Sequence, residues 1–241
     1  MATMVARVRA AVLSARYRRV SFLFVAMLGP VLPEPLLIHA DAALLVADKP
    51  AGLLCVPGRG PDKADCLAAR VQAVHADALI VHRLDMATSG LVVMARGAAA
   101  QRRLSIDFAA RRVAKTYTAV VAGLIEPDDG EVDLPLSADW PRRPRQQVDR
   151  VTGKPSLTRW RVLGRDPVLG RTRVQLQPVT GRSHQLRVHM AALGHPIVGD
   201  DLYAPPAVAA AAARLLLHAC RLELPHPVDG ALCAFDSPTP F

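Results

Sequence analysis

The residues HRLDMATSG at positions 82–90 lead directly into the apolar run LVVMA at positions 91–95. The apolar run predicts a short strand, and the Thr-Ser-Gly end of the polar cluster is a turn signal. Asp85 is therefore expected on a loop at the edge of a sheet, where proteins commonly hold reactive groups on a rigid scaffold. The alternative is that its carboxylate only caps a turn.

On both sides of this strand, short β-rich runs alternate irregularly with amphipathic runs. Helices are predicted at residues 65–75, 98–110 and 184–193. Strands are predicted at residues 43–46, 91–95, 113–121, 156–163, 172–177, 215–224 and 232–235. Because strands outnumber helices by about two to one and do not alternate regularly with them, the sequence favours an α+β sheet over a doubly wound parallel sheet.

The composition suits a globular protein with a real core. The chain has 241 residues, 51% of them hydrophobic, which excludes wholesale disorder. Its four cysteines include no C-x-x-C pair, so no zinc knuckle or thioredoxin motif is present and a reducing compartment fits best. The net charge of +9 indicates a polyanionic partner, although charge alone leaves RNA, DNA and anionic membrane open.

The N-terminal residues 1–33 differ from the rest, because they contain several arginines and no acidic residue. The uncharged run at residues 20–33 is too short for a membrane span, and glycine and prolines interrupt it. A basic stretch followed by an apolar one is also typical of a secretory signal, but no A-x-A cleavage site follows. We therefore predict a disordered extension over residues 1–33 and a folded domain over residues 34–241.

A second polar cluster, TGRSHQLRVHM, occupies residues 180–190. Ser183 is the expected N-cap and Gly194 the expected C-cap of a helix, which places Arg182 at the helix N-terminus. The helix dipole and the guanidinium would together attract a carboxylate such as Asp85, or a phosphate. Arg182 could instead form only a surface salt bridge, which contributes little.

His184 and His189 in this cluster raise the question of a metal site. Residues five apart lie about 140° from each other around a helix, whereas the H-E-x-x-H arrangement places both histidines on one face. We therefore expect structural or RNA-contacting roles for these histidines, and no bound metal.

The segment KTYTAVV at residues 115–121 reads as a strand. Strand alternation would place Tyr117 on the same face as Ala119 and Val121. On this pattern alone, Tyr117 is a core residue.

The segment DWPRRPR at residues 139–145 is a basic loop that prolines stiffen. Arg142, Arg143 and Arg145 could neutralise RNA phosphates. The alternative is an ordinary solvated run of charges.

Taken in order, these segments resemble the RluA-type pseudouridine synthases. HRLD with TSG at residues 82–90 is similar to the catalytic motif of that family, KTY at residues 115–117 to its tyrosine motif, and GRSHQLRVH at residues 181–189 to its arginine motif. KPAG at residues 49–52 and GHPIVGD at residues 194–200 also fit. The resemblance covers about residues 36–241, and five motifs in the same order outweigh the structural alternatives given above.

The resemblance implies an α+β pseudouridine synthase fold. A single catalytic domain would contain a mixed, mainly antiparallel central sheet flanked by helices and loops, with the catalytic cleft across the sheet. Only about 35 residues precede Leu36, which leaves no room for the S4-like RNA-binding domain of longer relatives.

The resemblance also implies that the protein isomerises uridine to pseudouridine in RNA. Asp85 would be the essential carboxylate and Arg182 would pair with it. Tyr117 would stack against the uracil and could assist removal of the C5 proton. One carboxylate suffices because the leaving base is itself the returning nucleophile and no water has to be activated. Asp85 could attack the anomeric carbon, abstract a ribose proton to form a glycal, or add at uracil C6, and the sequence does not choose among these routes.

Finer motifs, VPGR at residues 56–59 and LLLHA at residues 215–219 among them, resemble the dual-specificity members of the family. The implied substrates are stem-loops of 23S ribosomal RNA and the anticodon stem-loop of transfer RNA, and Arg83 would enter the stack that the flipped uridine vacates. We expect a cytoplasmic monomer that binds no DNA or membrane and requires no cofactor. The residues expected to contact RNA are His82, Arg83, Arg142, Arg143, Arg145, His184 and Arg187.

Three other functions compete with this one. The first is a synthase that acts on only one of the two RNAs. The second is a non-catalytic RNA-binding protein on the same scaffold, which would be expected to lack Asp85, Tyr117 or Arg182. The third is a metal-dependent phosphoesterase built on Asp85 and the neighbouring histidines His82, His184 and His189.

Overall fold

The computed structural model describes residues 36–60 and 63–241, and the predicted N-terminal extension lies outside these ranges. The strands are β1 (Leu36–Ala40), β2 (Leu44–Lys49), β3 (Ala78–Ile80), β4 (Ser89–Arg96), β5 (Ala114–Ala122), β6 (Asp129–Asp133), β7 (Leu136–Ala138), β8 (Gln146–Val148), β9 (Leu157–Asp166), β10 (Arg171–Pro178), β11 (Leu217–Pro225) and β12 (Leu232–Asp236). The helices are α1 (Leu67–Gln72), α2 (Gly97–Ala109), α3 (Gln185–Ala192) and α4 (Pro206–Ala209), with a 3-10 helix at Trp140–Arg142.

Ten strands form one large sheet in the order β1-β2-β4-β11-β5-β10-β9-β6, with β12 paired to β11 and β3 paired to β4. The pairing of β11 with β4 is parallel, and the other pairings within the described sheet are antiparallel. β7 and β8 form a separate two-stranded hairpin. The predicted α+β class with a mixed, mainly antiparallel sheet is confirmed.

Strand β4 is buried on both faces because its residues are almost all apolar. Leu91 and Val93 pack into a cluster with Leu104 of α2, whereas Val92 and Met94 pack into a second cluster that contains Val71 of α1. Each such side chain contributes about 1.5–3 kcal/mol relative to an exposed position. The strand therefore anchors both layers of the core, and the loop that precedes it starts from a rigid base.

The predicted strands and helices are all present, and their ends differ from the predictions by a few residues. The strands that the sequence did not predict are β1, β3, β6, β7 and β8. β6 has the sequence DGEVD, which lacks an apolar alternation, and it pairs only with β9 at the edge of the sheet. β3, β7 and β8 are three residues each, which is too short for a periodic signal.

Gly90 permits the close approach of β4 and β11. Its φ is 112°, and a Cβ at this position would lie 2.3 Å from the carbonyl oxygen of Ala219. The parallel contact between the two strands is made at Gly90 and Ala219. The glycine of the sequence motif therefore lets β11 pack beside the start of β4, next to the loop that carries Asp85.

We predict that Gly90→Ala lowers the free energy of unfolding by about 2–4 kcal/mol, because positive φ and a clash with backbone both oppose the methyl group. Gly97→Ala is the matched control, since Gly97 has φ of 76° but open space around its Cβ position. Gly97→Ala should lower the free energy of unfolding by only about 1 kcal/mol. Urea denaturation measures both, and equal losses would contradict the importance of the close approach.

Candidate active site

Asp85 lies in the loop between β3 and β4, and a neighbouring turn holds this loop in place. The ammonium group of Lys49, at the end of β2, is buried and donates to the carbonyl oxygens of Pro50 (2.9 Å), Leu53 (2.7 Å) and Met86 (3.0 Å). The backbone N–H of Gly52 also donates to the Met86 carbonyl, at 2.8 Å. The KPAG turn and the Asp85 loop are thus tied together through a single charged side chain.

Burial lowers the pKa of Lys49 to about 8, and the nearby Asp85 works against this decrease. At neutral pH the ammonium still carries its proton and can serve all three carbonyl groups. Lys49 is therefore a positive charge close to Asp85 as well as a structural link.

The Asp85 carboxylate is partly exposed and faces one nitrogen group on each of its oxygens. Oδ2 lies 3.8 Å from Nη1 of Arg187, and Oδ1 lies 3.8 Å from Nε2 of His184. Both partners come from the arginine motif, His184 directly before α3 and Arg187 in its first turn. The two motifs that the sequence singled out therefore meet in one site.

Arg187 is buried and is held by two carboxylates of its own. Its Nε and Nη2 donate to the two oxygens of Asp200 at 2.8 and 2.6 Å, and Nη2 lies 3.2 Å from Asp201. Burial lowers the pKa of Arg187, but the hydrogen bonds that Arg187 donates to Asp200 and the charges of Asp200 and Asp85 outweigh burial and raise the pKa overall. This bidentate pair fixes the guanidinium plane and leaves Nη1 to face Asp85.

The expected pairing of Arg182 with Asp85 is corrected by this geometry. Arg182 is exposed on the loop before α3, and its Nε donates to the Pro155 carbonyl at 3.3 Å. Among the described ion pairs, those of Asp85 are with His184 and Arg187. Arg187, which we expected to contact RNA, occupies the central position, and Arg182 lies at the rim.

The reason lies in how the helix begins. Ser183 is exposed and does not cap α3; His184 is the N-cap residue, in the left-handed conformation with φ of 53°. The Gln185 side chain instead accepts from the backbone N–H of Arg182 at 3.1 Å. Arg182 therefore precedes the helix. The sequence did contain a signal for Arg187 as a partner of Asp85. His184 and Arg187 are three residues apart, and residues at this spacing lie on one face of the predicted helix.

Tyr203 is a residue of this site that the sequence analysis missed. Its hydroxyl lies 2.6 Å from Nδ1 of His184 and accepts the backbone N–H of Gln146 at 2.8 Å. Its ring lies beneath the guanidinium of Arg187, 5.2 Å from the ring centroid to Cζ. Tyr203 follows the GHPIVGD motif, and its position after that motif was the only sequence signal for it.

Tyr117 lies on β5 and contributes to the same cleft as Asp85. Burial raises the pKa of Tyr117, and the charge of Asp85 raises it further. The side chain therefore remains a neutral phenol at neutral pH. The predicted face is confirmed, because Tyr117 packs with Ala119 and Val121.

The cleft has a volume of about 560 Å³, and positively charged side chains outnumber negatively charged ones among its described lining residues. Asp85 is the single carboxylate among the described residues that line it. The cations of its lining are Arg83, Arg111, Lys115, Arg182 and Arg187. A cleft of this volume, lined by five cations and one acid among the described residues, suits an anionic ligand that brings one reactive group to Asp85.

His82 lines the cleft, but its ring makes its contacts with Val93 and Phe108 of the protein itself. Nε2 accepts the backbone N–H of Val93 at 2.9 Å, and the ring stacks on Phe108 with centroids 4.6 Å apart. Burial lowers the pKa of His82 to about 3, and the charge of Lys115 adds to this decrease. This geometry indicates a structural role for His82 rather than an RNA contact.

The arginines of the basic loop lie outside the described lining of the cleft. Arg142 pairs with Asp139 at 2.7 Å, and Arg143 stacks 4.0 Å above the ring of Trp140, which is 65% exposed. Arg145 lies over the Tyr203 ring at 5.4 Å. The loop thus presents an exposed aromatic and cationic surface and also touches the residue that contacts His184.

The described residues include no group of three histidine, cysteine or acidic side chains arranged to hold a metal ion. Within the same ranges, no helix is long and apolar enough to cross a membrane.

Comparison with known proteins identifies the class to which this site belongs. The family model described as RNA pseudouridylate synthase matches residues 43–192, which include both motifs that form the site. The chain therefore belongs to the RNA pseudouridylate synthase family, and it is an isomerase that converts uridine to pseudouridine in RNA.

Particular relatives place it within that family. The chain is 51% identical over 195 residues to the dual-specificity RNA pseudouridine synthase RluA of Yersinia pestis, covering 81% of this chain and 94% of that protein. It is 48% identical over 212 residues to the protein of the same name from Escherichia coli K12, covering 88% and 96%. It also resembles the structure of human RNA pseudouridylate synthase domain containing 1, with a TM-score of 0.72, 30% identity and coverage of 86% and 84%.

The environment of His82 predicts a specific pH dependence of stability. The folded protein keeps His82 neutral down to about pH 3, whereas the unfolded chain protonates it near pH 6.5. Between these values the unfolded state binds more protons, so stability falls as the pH falls below about 6.5, by roughly 1.4 kcal/mol per pH unit at most. His82→Gln keeps an acceptor for the backbone N–H of Val93. Its free energy of unfolding, measured by urea denaturation between pH 7 and pH 4, should depend less on pH than that of the wild type.

His75→Gln serves as the control, because the His75 side chain makes no hydrogen bond within the described part of the chain. It shows how the loss of a histidine without such contacts affects the profile. Parallel profiles for wild type and His82→Gln would contradict the assignment.

Proposed function

We propose that this chain isomerises uridines in stem-loops of both 23S ribosomal RNA and transfer RNA, with Asp85 as the carboxylate that carries the chemistry. The observation that supports this most directly is that Asp85 is the single carboxylate among the described lining residues of the cleft and faces Arg187 and His184. A glycosidase needs a second carboxylate because it activates water. An isomerase that returns the same base to the same carbon needs only one.

Arg187 would hold Asp85 ionised and aimed at the ribose. Its own orientation is set by the bidentate bond to Asp200, so the carboxylate meets a fixed positive group. From that position Asp85 could attack the anomeric carbon, take a ribose proton or add at uracil C6. In each route the bond from ribose to N1 breaks, the base turns and the same ribose carbon bonds to C5, which then loses its proton.

Tyr117 would stack against the uracil while the base turns. Its raised pKa keeps the phenol protonated, which favours stacking and hydrogen-bond donation over a resting phenolate. Overall, the isomerisation moves one proton from C5 to N1 and therefore consumes no base. The neutral phenol of Tyr117 could assist this transfer.

The RNA would be held by the cations around the cleft. Arg83 is exposed directly beside Asp85, where it could occupy the place of a flipped uridine, and extrusion costs least in an unpaired loop. Arg182 at the rim and the loop of Arg142, Arg143 and Arg145 could bind phosphates on the outer side.

Two relatives that are 48–51% identical bear names that state dual specificity, which supports the choice of both RNAs. All four cysteines are free thiols, which supports the cytoplasm as the compartment. We propose that the chain acts there as a monomer.

The central prediction concerns Asp85. Tritium release from 5-tritiated uridine in the two RNA stem-loops should be rapid with the wild type and should fall by at least about 10³-fold with Asp85→Asn, because the amide can neither attack nor accept a proton. Added chelator should change neither rate. Activity of Asp85→Asn near the wild-type level would refute the role of Asp85, and release from one RNA only would refute dual specificity.

A second prediction separates the two arginines. Arg187→Lys and Arg182→Lys both keep a positive charge, but a lysine at position 187 cannot reproduce the bidentate bond to Asp200. At saturating RNA, Arg187→Lys should lower kcat by about 10–100-fold. Arg182→Lys should stay within about twofold, since the exposed charge remains. Thermal melting confirms that both variants fold, and the reverse order of effects would restore Arg182 to the central position.

A further inference from the structure

We propose that Tyr203 is a positioning residue for the isomerisation, because its hydroxyl fixes His184 as the tautomer that points an N–H group at Asp85. This inference rests on the proposed function of Asp85. It concerns a residue outside the two motifs that form the rest of the site.

The hydrogen bonds around the Tyr203 hydroxyl define its orientation. The backbone N–H of Gln146 donates to this oxygen at 2.8 Å, so the oxygen already accepts one hydrogen bond. Nδ1 of His184 lies 2.6 Å away. The phenol has a single hydrogen, and directing it at Nδ1 satisfies the phenol and the imidazole together. In the opposite arrangement Nδ1 would donate, and the phenolic hydrogen would have no acceptor among the described residues.

An imidazole whose Nδ1 accepts a hydrogen bond carries its proton on Nε2 when it is neutral. Burial lowers the pKa of His184, and the charge of Arg187 adds to this decrease while Asp85 opposes it, so the neutral form is favoured at neutral pH. Nε2 is the atom that lies 3.8 Å from Oδ1 of Asp85. The Tyr203 hydroxyl therefore turns a donor toward the carboxylate.

The other tautomer would have the opposite effect on Asp85. Its Nε2 would present a lone pair to Oδ1, and two acceptors facing each other repel. Asp85 would then be held from one side only, by Arg187. Because a catalytic group must be held within about 0.5 Å of its productive position, a lost or reversed contact on one oxygen should slow the reaction.

Tyr203 is itself held firmly enough to perform this task. The carboxylate of Asp200 accepts the backbone N–H groups of Leu202 (3.0 Å) and Tyr203 (3.1 Å) on the same oxygen that receives Nη2 of Arg187. Asp200 thus fixes Arg187 and the Tyr203 backbone together. Both groups that face Asp85 are therefore positioned by the short segment 200–203, which begins at the last residue of the GHPIVGD motif.

The first experiment reads the tautomer directly in the free enzyme. Long-range ¹⁵N–¹H spectra of uniformly labelled protein at pH 8 distinguish a protonated Nε2 from a protonated Nδ1, and the spectrum of His184→Asn assigns the signal. We expect the Nε2–H form in the wild type and a shift toward the Nδ1–H form in Tyr203→Phe. A wild-type Nδ1–H form would overturn the inference, whether or not the enzyme acts on either RNA.

The second experiment measures single-turnover tritium release. Tyr203→Phe keeps the ring beneath Arg187 and removes only the hydroxyl, so the rate should fall by about tenfold while RNA affinity is unchanged. His184→Asn keeps a residue that tolerates positive φ but removes the group that faces Asp85. In the His184→Asn background, Tyr203→Phe should cause no further loss of rate.

Thr172→Val is the matched control for the loss of a buried hydroxyl. The Thr172 hydroxyl also accepts a backbone N–H, from Ile125 at 3.0 Å, and donates to the Gly123 carbonyl at 2.8 Å, but neither bond involves Asp85, His184 or Arg187. This variant should lower the melting temperature and leave the rate within about twofold.

The outcomes separate the two proposals. A wild type without activity on either RNA refutes the proposed function. An active wild type with an unchanged rate in Tyr203→Phe, or with losses that simply multiply in the double variant, overturns the positioning role of Tyr203.

Discussion

The bidentate bond between Arg187 and Asp200 is the interaction on which the site depends. Both groups are buried, and removing one partner of such a pair costs about 3–5 kcal/mol because the other charge remains without compensation. The pair leaves one guanidinium nitrogen to face Asp85. Asp200 also accepts the backbone N–H of Tyr203, and the Tyr203 hydroxyl contacts His184. The same carboxylate therefore also helps to position His184, through Tyr203. The order in the cleft therefore originates behind it, in the buried carboxylate of Asp200, which lies outside the described lining of the cleft.

Much of the fold and of the site could be predicted from the sequence because the informative residues are local. The apolar run at residues 91–95 indicates a buried strand without reference to the rest of the chain, and the loop before it carries Asp85 as expected. Arg187 and Arg182 could not be distinguished in the same way. Their roles depend on the bond between Arg187 and Asp200, which lie 13 residues apart, and no local pattern shows that contact. Tyr203 depends on contacts with β8, more than 50 residues earlier in the chain, which no local pattern encodes.

The cleft combines opposing electrostatic demands. RNA brings many negative charges, which the arginines and lysine of the lining attract, yet the reactive group is itself an anion. Burial of Lys49 beneath the loop and the presence of Arg187 beside it surround Asp85 with positive charge, so the carboxylate does not repel the incoming phosphates from the cleft. The phenol of Tyr117 remains uncharged because burial and the negative charge of Asp85 both disfavour a second anion in the cleft.

The position of β11 has a consequence for the synthesis of the protein. This strand is synthesised after β4 and β5, yet it lies between them in the sheet. A nascent chain that lacks it has two sheet halves with open edges, and Asp85 and Tyr117 belong to different halves. The carboxylate and the aromatic ring therefore come together only after β11 has been synthesised. An unfinished polypeptide that emerges beside ribosomal RNA cannot assemble a competent centre.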